Sequence, residues 1–396
     1  MIQRNFSPVS ATFLCLLACA SLLAAGLWPF NFRAENHAAI ISGGGLKFSA
    51  PGERSKQDLG GQVFTPAPLA CPIEGSCTAG QLAVELRLKA SSDESSCLRR
   101  ILDLRKPTGA EAFYIGQWKS NLVVRSMNTP PAAGKPFMDI GVSGLLAAGL
   151  ESVVTLTSGP EGTVIFVDGK PLQNFPGVRL LGEKETLDGH RLYLGNAPDL
   201  NCPWAGDVLG VALQGRALSA GEVAKRHGLW VSGEGVCASE PAPVACWRLE
   251  RPEGEILADL SGSGNTLAMP GQLVFEKHFL KLPDGHRLSV SDIVLNVLGF
   301  VPFGFLIGLR LRVTGRLSTS RRLSLTAAAG FAASLVIEAA QTWLPGRDSS
   351  LLDLVTNTVG MAIGGAMAGL ISWKRTTVLI ERIRLKRPAV FRRSIF

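Results

Sequence analysis

Two kinds of hydrophobic pattern divide the chain. Four stretches are almost continuously apolar: ATFLCLLACASLLAAGLWPF near the start, then DIVLNVLGFVPFGFLIGLRL, SLTAAAGFAASLVIEAAQTWL and LLDLVTNTVGMAIGGAMAGLISW near the end. Each approaches the roughly 20 residues that a helix needs to cross a hydrocarbon core. The intervening region, from about residue 33 to 290, has a different period. QLAVELRLKA alternates apolar and polar positions, as a half-buried strand does. SVVTLTS, TVIFVDGKPL, RLYLGN and GDVLGVALQG predict further strands, and Asp168-Gly169 predicts a tight hairpin turn. LSAGEVAKRH predicts a short helix, because Ser219 and Glu222 have the spacing of a capping box. Many short strands with Gly- and Pro-rich turns imply a sandwich.

Charge gives the apolar runs a direction. The net charge is +8, with only 18% charged residues. Residues 310–322 hold five basic residues (Arg310, Arg312, Arg316, Arg321, Arg322) and no acid; residues 374–396 hold eight basic residues and one acid, Glu381. These two stretches exceed the whole net charge, so the remainder is net acidic. Basic clusters beside apolar runs are the mark of cytoplasmic flanks. Nucleic acid is disfavoured as a partner, because no aromatic platform or recognition motif accompanies the charge. The expected topology is a multi-pass protein of a bacterial cytoplasmic (inner) membrane. Its N- and C-termini are cytoplasmic and its middle region is extracytoplasmic. The first run is read as an uncleaved anchor, being longer than the ~7–15 residues of a signal-peptide core and ending in Trp28-Pro29-Phe30. LLAC (Leu16 to Cys19) leaves a lipoprotein cleavage box as the alternative. The tail 374–396 is expected to lie on anionic lipid.

Within the middle region, VTLTSGPEGTVIFVDGKPL, YLGN and GDVLGVALQGRALSAGEVAKRH resemble the laminin-G-like, concanavalin A-like jelly roll. Members of that family carry a strand ending in "DG", an "LxLG" strand, and a final strand leading into "ALSxxEI". The resemblance implies an all-β jelly-roll sandwich over roughly residues 34–236, with glycan binding in some members and contact alone in others. CWRLERPEGEILADLSGSGNTLAMPG resembles the opening strand region of such domains, yet follows the body. Residues 237–290 therefore either complete the sandwich in permuted order or tether it to the membrane. Trp118, Trp204 and Trp230 are candidates for stacking on sugar rings, against the alternative that they fill the core. Asp168 reads as a turn residue rather than a calcium ligand. No calcium loop or zinc pattern is present, and no cofactor or metal is implied.

Six cysteines (Cys71, Cys77, Cys97, Cys202, Cys237, Cys246) fall in this region, an even number suited to an oxidising compartment. The expected pairs are Cys71–Cys77, Cys97–Cys202 and Cys237–Cys246. Cys15 and Cys19 read as small apolar residues of the first helix.

The last three apolar runs are punctuated by polar residues at helical spacing. Asp292 and Asn296 are four apart, Glu338 and Gln341 three apart, and Asp353 and Asn357 four apart, with Arg347 in the connecting loop. The expected topology gathers all of them toward the extracytoplasmic mouth of a bundle. Ionisable groups at a helix centre cost about 2.5–3.5 kcal/mol on insertion scales, so such groups face the bundle and pair. For each, a structural role as cap or interhelical glue stands beside a functional one. The set Asp292, Asn296, Phe300, Pro302, Gly304, Phe305, then Ser334, Glu338, Gln341, then Arg347, Asp353, Asn357, Gly360 closely resembles the VanZ-like family pattern. That family is linked to glycopeptide (teicoplanin) resistance and cell-envelope loci. The long region after the first helix departs from simpler relatives, which have a short loop there.

Two functions follow as expectations. In the first, a VanZ-like transmembrane bundle (helix 1 within residues 1–33, helices 2–4 within 291–373) displays a jelly roll that binds envelope glycan or protein. In the second, the bundle itself is an enzyme or small transporter acting on a lipid-linked envelope precursor through Glu338 and its neighbours. No nucleophile–base pair or phosphate loop is visible, so the enzyme reading is the weaker of the two.

Overall fold

The structure is a computed structural model. It describes residues 8–28, 30–49, 59–71, 75–91, 97–128, 136–233, 235–240, 242–249, 255–282, 290–314 and 317–370. Pro29, Arg316, the side chains of Cys15 and Cys19, and the basic tail 374–396 lie outside them. The chain forms two compact units: Phe32–Glu276, and the helical segments on either side of it.

The first unit is a sandwich of two eight-stranded antiparallel sheets, with strands numbered along the chain. One sheet runs β1 (Ala38–Ile40), β2 (Leu46–Phe48), β13 (Gly206–Gln214), β4 (Leu82–Ala90), β9 (Glu151–Gly159), β10 (Gly162–Val167) and β11 (Lys170–Pro176). Strand β14 (Ala245–Trp247) also pairs with β13. The other sheet runs β15 (Ile256–Leu257), β16 (Leu267–Ala268), β3 (Val63–Phe64), β12 (Arg191–Leu194), β5 (Arg99–Arg105), β6 (Glu111–Trp118), β7 (Asn121–Ser126) and β8 (Met138–Val142). Residues after 237 thus supply a strand to one sheet and two to the other. One continuous core lies between the sheets, including Leu82, Leu86, Ile101, Phe113, Leu156 and Trp247.

Helix α2 (Ala220–Ser232) follows β13 and is held at its start by the capping box of Ser219 and Glu222. Its buried residues are Val223, Arg226 and Trp230. They meet the outward positions of β4: Ala83 shares a cluster with Val223, Glu85 pairs with Arg226, and Arg87 donates to the Trp230 carbonyl. Strand β4 is therefore covered along most of both faces, where its alternation predicts one solvated face. Glu85 is 0% exposed. The polar residues of the pattern are real, but Glu85 and Arg87 meet a helix, and only Lys89 is exposed to water. The hairpin at Asp168-Gly169 has φ of 48° and 76°, the left-handed pair that a tight turn requires, and Asp168 Oδ1 accepts from the Val153 N–H at 2.9 Å. The structure pairs Cys71 with Cys77, Cys97 with Cys202, and Cys237 with Cys246.

The second unit contains α1 (Pro8–Leu27), α3 (Val290–Thr314), α4 (Thr319–Gln341) and α5 (Leu351–Leu370). The last three are each long and apolar enough to cross a membrane. Helices α3 and α5 meet through glycines. Gly304 and Gly308 lie on one, Gly360 and Gly364 on the other, and a Cβ built at Gly364 would fall 2.1 Å from the Val301 carbonyl oxygen. Small residues four apart allow backbones to approach this closely, which substitutes van der Waals contact for the missing hydrophobic drive in lipid. Leu22 of α1 packs with Phe300, Ile337 and Met361, one residue from each of the other helices.

Candidate functional site

The polar set in the helices is built on one face of α4. Ser334, Glu338 and Gln341 recur at helical spacing and are buried. Asn357 of α5 donates through Nδ2 to Ser334 Oγ at 3.0 Å. One turn further along α4, Glu338 is 0% exposed, and its Oε2 accepts from the Ser350 N–H at 2.7 Å. Ser350 caps α5, its Oγ accepting from the Asp353 N–H at 3.4 Å. Gln341 donates through Nε2 to the Gly26 carbonyl of α1 at 2.8 Å. Arg347 donates to the Trp28 carbonyl at 2.9 Å.

Asp353 is half-buried, with the side chains of Asn296 and Ser350 as hydrogen-bond partners and Asp292 and Arg347 within electrostatic reach. Glu338, by contrast, feels Asp353, a charge of its own sign. Asn296, Asp353, Ser350 and Glu338 are thus linked contact by contact, while Asp292 stays exposed in the first turn of α3. Among the described residues, three buried oxygens in the set have no hydrogen-bond donor, Glu338 Oε1, Gln341 Oε1 and Asn357 Oδ1, and the buried Ser349 side chain lies within reach of the Glu338 carboxyl. Ser350, which the sequence reading passed over, is central to this arrangement. Its signal was local: a serine three residues before Asp353 is where a helix cap belongs.

The tryptophan candidates separate by burial. Trp204 is 0% exposed and donates from Nε1 to Gln117 Oε1 at 2.6 Å, so it is a core side chain and cannot stack on a sugar. Trp230 is 3% exposed, its ring lying over Gly210 with no room for a side chain there. It only edges a cavity of about 190 Å³ shared with Arg87 and Arg248, and offers no open face. Trp118 is 40% exposed and retains a surface.

Sequence reasoning missed a polar and aromatic row on the outer face of the second sheet. The register aligns Phe64, Tyr193, Asp103, Tyr114, Arg125 and Asp139 across six neighbouring strands. The Arg100 guanidinium stands 4.4 Å from the Tyr114 ring centre and bonds Asp103, Glu111 and Asp199. Arg105 donates to Asp103, Gly109, Glu111 and Glu276. At the edge of this network lies a cleft of about 270 Å³, lined by Arg105, Lys106, Arg191, Tyr193 and Glu276 among others. Tyr193 stacks on Phe64 at 5.6 Å between ring centres. Burial raises its phenol above the ordinary value, so the hydroxyl stays a donor. Arg191 uses Nη1 to bond the carbonyls of Thr65 and Pro66, leaving Nε and Nη2 without a partner among the described residues. The signal for this face was the alternation in RRILDLR, where arginine and aspartate recur between core residues.

The sandwich and the apolar helices define a membrane protein with a β-sandwich inserted between its helices. More narrowly, the C-terminal part is similar to the VanZ/LLP1 family, whose model matches residues 253–372, which contain α3, α4 and α5. No curated protein matches the chain. Among solved structures, a heptameric SAP-like pentraxin from Limulus polyphemus is similar, at 13% identity and a TM-score of 0.32, over 41% of this chain and 73% of that one. The receptor-binding domain of botulinum neurotoxin D matches at 12% identity and a TM-score of 0.34, over 50% of this chain and 47% of its own. A Bacteroides ovatus protein designated carbohydrate-binding matches at 13% identity and a TM-score of 0.36, over 59% and 61%. At such identities and scores these likenesses carry no information on ligand or activity.

Proposed function

We propose that this is a multi-pass protein of a bacterial cytoplasmic membrane that displays its sandwich outside the cell's cytoplasm as a glycan-binding module. The observation that supports the reading is the cleft beside Tyr193. It combines an aromatic ring, a phenol donor, the spare guanidinium donors of Arg191 and the carboxylate of Glu276, in a volume suited to one sugar ring. Such a set, an apolar platform ringed by a few fixed polar groups, is what orients a small polar ligand. Basic residues 310–322 and 374–396 support the topology through the bias of cytoplasmic flanks. The three disulfides suit an oxidising compartment.

Full-length protein in nanodiscs, titrated with purified cell-wall and exopolysaccharide fractions, tests the reading. Saturable binding is expected, weakened about tenfold by Arg191→Ala or Tyr193→Ala, the loss of one charge-assisted hydrogen bond or ring contact. Folded protein that binds none of the fractions would remove the glycan reading. A second reading rests on Glu338, a buried carboxyl without a cationic partner among the described residues: the helical unit itself acts on a lipid-linked envelope precursor or a transported ion. Glu338→Gln with intact insertion would then abolish the envelope phenotype, which a pure anchor would tolerate.

A further inference from the structure

We propose that Glu338 and Gln341 bind a small monovalent cation inside the helical unit. The inference stands on the α4–α5 cluster alone, so it fails or survives independently of the glycan reading.

Glu338 Oε2 accepts from the Ser350 N–H and the buried Ser349 side chain lies within reach of the carboxyl, but Oε1 has no hydrogen-bond partner among the described residues although Glu338 is 0% exposed. Gln341 is 9% exposed, and its amide orientation is fixed, because Nε2 must donate to the Gly26 carbonyl. Its Oε1 is therefore an acceptor without a donor among the described residues as well. The two residues are three apart on one helical face, so their side chains are neighbours. Two buried acceptors on one helical face, one of them a carboxyl oxygen, call for a cation or a donor.

The surroundings suit a positive charge at this position. The Ser350 N–H that holds Oε2 lies at the start of α5, where the helix dipole favours the ionised carboxylate. Gln341 is the last residue of α4, where the carbonyl end of the dipole favours positive charge. Asp353 adds negative potential. Arg347, the basic residue of the connecting loop, is engaged by the Trp28 carbonyl. Asp353 has the Arg347 charge within electrostatic reach as well as hydrogen bonds from Asn296 and Ser350, so the carboxyl left to the ion is that of Glu338, and a single positive charge balances it. The fully buried position selects an ion stripped of water, bound by oxygen, as sodium-class cations are. Asn357, bonded to Ser334 one turn back along α4, carries a further buried oxygen, Oδ1, without a donor among the described residues.

The test is thermal unfolding of the full-length protein in nanodiscs. Choline chloride is replaced stepwise by lithium, sodium or potassium chloride at constant ionic strength, at neutral and at mildly acidic pH. The expected result is a saturable rise in Tm, selective for one alkali cation and weaker at acidic pH. The rise should vanish in Glu338→Gln, require several-fold more cation in Gln341→Ala, and persist in the exposed-site variant Asp292→Asn. No cation-selective shift in folded wild type would overturn the proposal, as would an equal shift in Glu338→Gln. Stabilisation by acid without alkali-cation dependence would assign a proton instead, and response to calcium or magnesium alone would assign a divalent site; either overturns it. If Glu338→Gln does not fold, wild-type selectivity together with the Gln341→Ala titration decides.

Discussion

Arg226 is 1% exposed, and its Nε and Nη2 both donate to Glu85 Oε2, at 2.8 and 2.6 Å, while Nη1 donates to Ser239 Oγ at 2.5 Å. A charge so far from water is tolerable only with its partner present. Arg226→Ala should therefore cost about 3–5 kcal/mol, because it strands Glu85 inside the protein. Replacing both residues with Met and Leu should recover much of that loss. Chemical unfolding of both variants, followed by tryptophan fluorescence, separates the two outcomes. The pair was illegible in the sequence, where the partners stand 141 positions apart. The same holds for Trp204 and Trp230, whose burial depends on Gln117 and Gly210 arriving from elsewhere in the fold. In contrast, the spacing of Glu338 and Gln341 was visible at once, and only their unsatisfied oxygens needed the structure.

Elements were legible in proportion to how local their causes are. The capping box of α2 needs two residues three apart, and both appear in the sequence. Its energetics reach one residue further: Arg216 hydrogen-bonds Glu222, and chiefly this contact lowers the carboxyl from 4.5 to about 2. A folded-state value below the unfolded one contributes stability above about pH 4.5, lost as pH falls toward 2. Wild type and Glu222→Gln should therefore differ at pH 5, by roughly the 0.5–2 kcal/mol of a helix cap, and converge near pH 2. Unfolding midpoints across that range measure it. The strands of the second sheet were harder to see. Strands β5 to β8 carry polar residues on a face covered by side-chain ion pairs, which blurs the contrast between inside and outside. The α3–α5 seam was half legible: the glycines are visible, but which helices they bring together is not.

At the scale of the molecule, the division into helices and an inserted sandwich followed from the change of hydrophobic period. The strand order did not, since β2, β4, β9, β13 and β14 come together from across the unit. Covalent links help hold that order. Cys97–Cys202 closes a loop of 105 residues, and Cys71–Cys77 one of 6. Longer loops lose more freedom in the unfolded chain when tied. Cys97→Ser with Cys202→Ser should cost about 2–5 kcal/mol, more than the corresponding change at Cys71 and Cys77. Thermal unfolding of the two double variants makes the comparison.

The two ends of the sandwich are stitched to each other: the Leu273 N–H donates to the Ala34 carbonyl at 2.9 Å, the Asn36 N–H to the Gly271 carbonyl at 3.1 Å, and Glu35 bridges Gln272. Entry and exit therefore share one doorway. A domain wired this way is a cassette, which can be gained or lost between two helices while the gap it leaves stays short enough for a simple loop. The sandwich is free to diversify on its own schedule, and the helices need not change their spacing to carry it.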